Sequence, residues 1–253
     1  MKEFKKDKQT VKIADTRVGM GNAAGADIHA AMMKLLAEKE EINMIFAAAP
    51  SQNVTLAALL TYADIPWNRV NAFHMDEYIG LPMEAPQRFG NYLRDHIFGK
   101  APFKSINYID SSSSAEAECA RYTALLQKYP TDIVVMGIGE NGHIAFNDPG
   151  VADFNDPVWI KPVPLDDICR QQQVNDGCFA KFDDVPTHAL TLTVPTLFRG
   201  TYLFCSVPAK TKANAVHEML TTDKIDEHCP CTILRRHDNA VLYCDADSSS
   251  LLK

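Results

Sequence analysis

The sequence predicts an α/β protein with three layers: a Rossmann-like, mainly parallel sheet between two helical layers. Three observations lead there. Short apolar runs alternate with amphipathic stretches of helical length. The apolar runs end in loops rich in small residues, glycine or acids, as strands of a parallel sheet do at their C-terminal ends. One long segment, 149–187, breaks this rhythm with five prolines and the polar run Arg170-Gln171-Gln172-Gln173. A long excursion inside a domain is usually functional, so it is expected to be an irregular flap over a site.

The elements follow in order. Residues 20–39 place Ile28, Met32, Leu35 and Leu36 at helical spacing among good helix formers. Ile42 to Ala49 is a buried strand closed by Pro50, and Asn53 to Tyr62 is the helix after it. Val70 to Met75 is a strand and Gly90 to Phe98 a helix. Ser111 to Ser114 can cap a helix from Ala115 to Lys128. Asp132 to Gly137 is the most strand-like run. His188 to Val194, Tyr202 to Ser206 and Ala240 to Cys244 are further strands, with a helix at Lys210 to Leu220. Lys5, Lys6 and Lys8 read as a solvated N-terminal arm.

The 253 residues are expected to form a single domain, 1–253, with the flap as an insertion. With 46% hydrophobic residues the chain can bury a core that offsets its ordering entropy. A net charge of −7 argues against a nucleic-acid partner held by a general positive field. No run approaches the roughly 20 apolar residues of a membrane span, so no membrane partner is expected. The basic N-terminus has no apolar run behind it and does not read as a signal peptide. Seven scattered cysteines fit reduced thiols in a cytoplasmic protein.

Three loops carry candidate chemistry. Ala47 to Asn53 lets a ligand approach backbone between a strand and a helix, although a tight packing turn has the same composition. Asp76 and Glu77 follow a strand directly, where a carboxylate can act as a general base or merely cap a turn. The third loop, Gly137 to Gly150, is the most informative. Its glycines expose backbone amides, His143 can move protons near neutrality, and Asp148 can orient the ring. Gly137, Gly139 and Gly142 have dinucleotide-type spacing, but Pro149 opposes the long helix that motif needs. Cys229 and Cys231, with His228 and His237, are too closely spaced for a zinc site, and no metal is expected. Trp67 and Trp159 read as packing residues.

The residues Met75-Asp76-Glu77-Tyr78, the loop Gly137 to Pro149, and Val185-Pro186 followed by Ala189-Leu190-Thr191 resemble the glucosamine-6-phosphate deaminase (isomerase) family. That family shares its fold with the 6-phosphogluconolactonases. The resemblance implies an aldose–ketose isomerisation with loss of ammonia, from glucosamine 6-phosphate to fructose 6-phosphate, without a cofactor. By position it makes Asp76 the proton-shuttling base and His143 the ring-opening residue, supported by Asn141 and Asp148. Lys212 would contact the phosphate, with Ser51, Gln52, Glu77 and Gly139 also at the substrate. A lactonase-type hydrolase and a non-catalytic sugar-phosphate-binding regulator are the alternatives.

The departures from the family pattern lie at both ends of the site. Asp148 stands where glutamate is usual, and Asn141 where some members carry aspartate. Ala49-Pro50-Ser51-Gln52 replaces a Gly-Gly-Thr-Pro phosphate loop. Gly177 falls where the flap arginine is expected, and Arg170 is the cation available to replace it. No long extension follows Asp245, so allosteric control and hexamer assembly are not carried over, and the state of any homo-oligomer is left open.

Overall fold

The computed structural model describes residues 1–252. Its first two strands, β1 (Lys2–Lys6) and β2 (Gln9–Ile13), form an antiparallel hairpin with Lys6 opposite Gln9. The expected solvated arm is therefore an edge of the sheet. The alternation in Gln9-Thr10-Val11 explains it: Gln9 and Val11 are buried while the lysines stay on the wet side. Exposed lysines on β1 also discourage further strand addition at that edge.

Helix α1 (Arg17–Glu38) starts at Thr16, whose hydroxyl accepts the Gly19 N–H at 3.0 Å. Strand β3 (Ile42–Phe46) leads to α2 (Asn53–Leu59), and β4 (Val70–His74) is followed at once by the short β5 (Asp76–Tyr78). Helix α3 (Phe89–Leu93) runs into a π-helical turn over Arg94–Phe98. Then come β6 (Ser105–Asn107), α4 (Ala115–Lys128), capped by Ser114, and β7 (Ile133–Met136). The chain continues through β8 (Ile160–Pro164), α5 (Asp167–Asn175), β9 (His188–Leu192) and α6 (Val194–Phe198). It ends in β10 (Tyr202–Val207), α7 (Ala213–Thr221) and β11 (Ala240–Cys244).

The large sheet has the order β1-β2-β11-β10-β7-β3-β4-β6, parallel everywhere except the β1–β2 hairpin. Its central strands are apolar on both sides, and the period of two assigns their side chains to two cores. Met44, Phe46 and Val135 pack with Ile28, Met32 and Leu56 on one face. Ile45, Val134 and Met136 pack with Tyr122, Leu126 and Met219 on the other. This is the three-layer α/β/α arrangement that the sequence predicts.

Two expectations change. Residues 188–194 are expected as another strand of the main sheet; His188–Leu192 instead form β9 in a separate antiparallel sheet of order β5-β9-β8, and Thr193 caps α6. The segment 149–187 is not irregular. It supplies β8 and the helix α5, capped by the Asp166 side chain at Cys169 N (2.6 Å). Its prolines hid the strand: Pro162 and Pro164 sit in β8 at the edge of the small sheet, where a missing N–H costs no ladder bond.

Helices α1 and α2 meet through glycine. A Cβ at Gly21 would lie 2.8 Å from the Val54 carbonyl carbon, and one at Gly25 would lie 2.9 Å from Ala58 Cβ. Gly21→Val should therefore lower stability by about 1–3 kcal/mol in urea unfolding, since overpacking exceeds the helix-propensity gain of under about 1 kcal/mol. A neutral or stabilising result would contradict this contact.

Candidate active site

Strands β4, β3, β7 and β10 are neighbours in the sheet, and all run parallel. Their C-terminal ends therefore share one edge. The chain adds β4 on one side of β3, whereas β7 and then β10 lie on the other side. A crevice opens where strand order reverses in this way, and ligands bind there. The cleft at this place has about 570 Å³ of space, its open mouth included, which suits a small molecule.

Each strand end contributes a group. After β3, Ser51 and Gln52 reach the cleft; Gln52 Nε2 donates to Ser51 Oγ (3.0 Å) and to Ser206 O (3.1 Å). Gly137 makes that approach feasible, because a Cβ there would meet Gln52 Nε2 at 2.8 Å. After β4 comes Asp76, 7% exposed and lining the cleft. Its backbone is held by His74, whose Nδ1 pairs with Asp76 O at 2.9 Å while Nε2 accepts Ile109 N–H at 2.8 Å. This pattern requires a neutral ring with its proton on Nδ1, and burial depresses His74 to about 4. For Asp76, burial and the neighbouring Glu77 charge push the carboxyl well above the usual aspartate range.

After β7, the glycine-rich loop presents His143. Its ring lies over Gly139, where a Cβ would come within 2.2 Å of it. Behind the ring is Asp148, fully buried, with Oδ1 at 2.8 Å from His143 Nδ1. The ring is turned so that Nδ1 makes no well-aligned hydrogen bond, and Asp148 Oδ2 also lacks one. Asn141 braces both residues: its amide donates to Asp148 Oδ1 (2.9 Å), and its carbonyl accepts the His143 N–H (3.1 Å). Burial works to raise the Asp148 carboxyl, but His143, Asn141 and the Cys169 thiol outweigh it, and the net shift is downward. Asp148 is thus held as a carboxylate. Ala145, also in the cleft wall, has φ +52°, a strained value for a residue with a Cβ.

After β10, Lys212 closes a 3₁₀ turn (Lys210–Lys212) and enters the cleft at 4% exposure. No carboxylate among the described residues reaches ion-pair distance. Burial lowers its ammonium below the usual lysine value, partly opposed by the more distant Asp176 and Glu140. A buried cation in want of an anion is an anion site in waiting.

The sequence-predicted residues divide into three groups. Ser51, Gln52, Asp76, His143 and Lys212 line one cleft. Asn141, Asp148 and Gly139 stand behind or beneath His143 and support it. Glu77 and Arg170 do not reach the cleft, which corrects the expectation that they touch substrate. Glu77 accepts the backbone N–H groups of Tyr78, Phe89 and Gly90 at 2.9–3.0 Å, so its carboxylate anchors the start of α3. Arg170 donates to Phe182 O and Val185 O and stacks on Phe182 at 4.0 Å, binding its own segment together.

The segment 149–187 contributes instead through Gln172, Gln173 and Asp176, which the sequence reading did not place at the site. Gln172 Oε1 accepts the Glu140 N–H at 2.9 Å and so ties α5 to the glycine-rich loop. The signal was present: Cys169, Gln172, Gln173 and Asp176 fall at i, i+3, i+4 and i+7, one helical face.

A model of the family glucosamine-6-phosphate isomerases/6-phosphogluconolactonase matches residues 15–243. The chain belongs to this family. It is 34% identical to a Listeria innocua glucosamine-6-phosphate deaminase over 213 residues, 84% of this chain and 88% of that one. It is 37% identical to a Bacillus cereus glucosamine-6-phosphate deaminase over 186 residues, 73% of this chain and 68% of that one. A solved monomeric glucosamine-6-phosphate deaminase superposes with a TM-score of 0.85 at 27% identity, covering 95% of this chain and 99% of that one. The Thermotoga maritima 6-phosphogluconolactonase has the same fold, with a TM-score of 0.74 at 22% identity, 93% of this chain and 98% of that one.

Burial of Asp76 has a measurable cost. A carboxyl with a raised folded-state pKa binds its proton more tightly folded than unfolded, so stability falls as pH rises above the ordinary value of 3.8. Asp76→Asn removes this term. Its melting temperature should match the wild type near pH 4 and exceed it increasingly toward about pH 8. A constant difference across that range would contradict the burial of a strained carboxyl.

Proposed function

We propose that this chain is an amino-sugar-phosphate deaminase/isomerase that converts glucosamine 6-phosphate into fructose 6-phosphate and ammonia. The observation that carries this reading is the convergence of Asp76, His143 and Lys212 on one cleft from three separate strand ends. The names of the relatives support the choice of reaction. The whole chain would act as one domain, with 149–187 as the flap. A small polar substrate, a net charge of −7 and the absence of any membrane-crossing helix among the described residues suit a cytoplasmic enzyme without a nucleic-acid partner.

In this reading Lys212 and the polar row Ser51, Gln172 and Gln173 receive the phosphate. His143 takes the O1 proton and returns it to the ring oxygen as the C1–O5 bond breaks. Asp148 steadies the imidazolium formed in between. Asp76 then removes the C2 proton of the open chain, giving a C1=C2 enolamine, and delivers a proton to C1. The resulting C2 imine adds water; the C2–N bond breaks, and ammonia leaves as the C2 ketone forms. The raised proton affinity of Asp76 suits it to this step, because a base matched to its task both takes and returns the proton.

The test is direct. Glucosamine 6-phosphate in deuterated water should release ammonia and yield fructose 6-phosphate labelled at C1. Asp76→Asn should slow both by about 10²–10⁴-fold. Lys212→Met should raise KM about 10–100-fold with a smaller change in kcat, the scale of one charge-assisted hydrogen bond. Acid release from 6-phosphogluconolactone without ammonia from the amino sugar would establish the hydrolase instead. Binding of the phosphorylated sugar without turnover would establish the regulator.

A further inference from the structure

Behind the imidazole, on the side away from the cleft, three different donor atoms meet. A nitrogen of His143, a carboxylate oxygen of Asp148 and Sγ of Cys169 all lie within 4.8 Å of one another, and all three residues are buried. They come from two elements: the glycine-rich loop holds the first two, and α5 holds Cys169. Two atoms of the group are held by contacts of poor alignment. His143 Nδ1 lies 2.8 Å from Asp148 Oδ1 but is badly aligned, and Asp148 Oδ2 lacks a well-aligned donor although the Cys169 thiol lies against the carboxylate. Both atoms are enclosed, so water does not satisfy them either.

We propose that His143, Asp148 and Cys169 form a binding site for a zinc-class divalent cation, and that occupation of this site switches off proton transfer by His143. An imidazole nitrogen, a carboxylate oxygen and a thiolate are the donor set of zinc and cobalt, not of magnesium or calcium. Bonds of about 2.0–2.3 Å from a tetrahedral ion place its donors roughly 3.3–3.7 Å apart, so pairs now up to 4.8 Å apart have to close by about 1 Å, a movement within reach of side chains.

Charge balance favours the ion despite its burial. The dication, the Asp148 carboxylate and the Cys169 thiolate sum to zero, so no net charge is left in the interior. Binding breaks the Cys169 S–H bond and forms a sulfur–metal bond. The released proton goes to solvent, one for each ion bound. The ion takes the Nδ1 lone pair, and the ring proton moves from Nδ1 to Nε2. With both nitrogens engaged, the imidazole cannot accept a proton. Coordination of Cys169 also pins α5, and with it Gln172 and Asp176, against the glycine-rich loop.

The metal site stands on geometry alone, whereas the loss of activity rests on the deaminase reading above. The test separates them. Anaerobic titration of the full chain with cobalt(II) should show one equivalent bound, a thiolate-to-cobalt charge-transfer band, tetrahedral visible bands and release of one proton. Cys169→Ser and Cys169→Ala should lose the band and bind at least about 10-fold more weakly, the scale of losing one ligand-shell group. Cys229→Ser and Cys231→Ser should retain the band, since that buried pair is the competing source of thiolate. No band in the wild type, or a band that survives in both Cys169 variants, overturns the site. In the ammonia assay zinc should inhibit the wild type, chelator should restore it, and Cys169→Ser should be active but at least about 10-fold less sensitive. Equal zinc sensitivity of wild type and variant overturns the switch. A chain that releases no ammonia at all overturns the deaminase reading and leaves the cobalt titration to judge the site.

Discussion

Asp148 is the constraint around which the site is organised. A carboxylate with no solvent exposure has to find compensation within the protein, and this one finds it in Asn141, His143 and Cys169. The loop must turn back on itself to bring all three within reach. Gly139 gives way to the imidazole, and Gly142 adopts φ +82° against the Cys229 and Cys231 sulfurs. The same arrangement keeps Asp148 charged and so keeps a negative group against a ring that can take up a proton. His143 is placed by what surrounds Asp148 as much as by its own neighbours.

The opposite wall obeys a different rule. Asp76 is buried without compensation of that kind, and its carboxyl therefore favours the proton. The two acids facing His143 from front and back are thus driven in opposite directions by their surroundings. Such a split lets a single cleft hold one carboxylate charged and leave another ready to bind a proton. His74 keeps the Asp76 backbone in position from below, and it can do so only as a neutral ring, which its burial enforces.

Helix α5 links the two sides of the site. One face of α5 touches Asp148 through Cys169, the glycine-rich loop through Gln172, and the cleft through Gln173 and Asp176. That helix carries no cation into the cleft, since Arg170 is turned away to hold Phe182 and Val185. Lys212 is therefore the only lysine or arginine among the cleft-lining residues. An ammonium makes weaker demands on the geometry of an anion than a bidentate guanidinium does.

Much of this was legible from the chain. Doubly apolar runs such as Ile42–Phe46 and Ile133–Met136 are buried on both sides wherever they pack, so their assignment to a central parallel sheet follows from composition. Strand-end loops then carry Asp76 and His143 to one edge as a matter of topology. Other features are not local properties. Glu77 neighbours Asp76 in sequence, but the backbone direction of β5 sends it to two amides of α3 and to the Tyr78 N–H instead of the cleft. Arg170 and Gln172 differ by two positions and therefore lie on different faces of a helix whose run of glutamines disguised it. The sequence by itself determined the sheet, its layers and the strand-end loops that carry Asp76 and His143, because those depend on periodicity and local composition. Only the tertiary structure decided which of the neighbouring acids enters the cleft and what stands behind the imidazole. Those outcomes depend on distances between segments far apart in the chain.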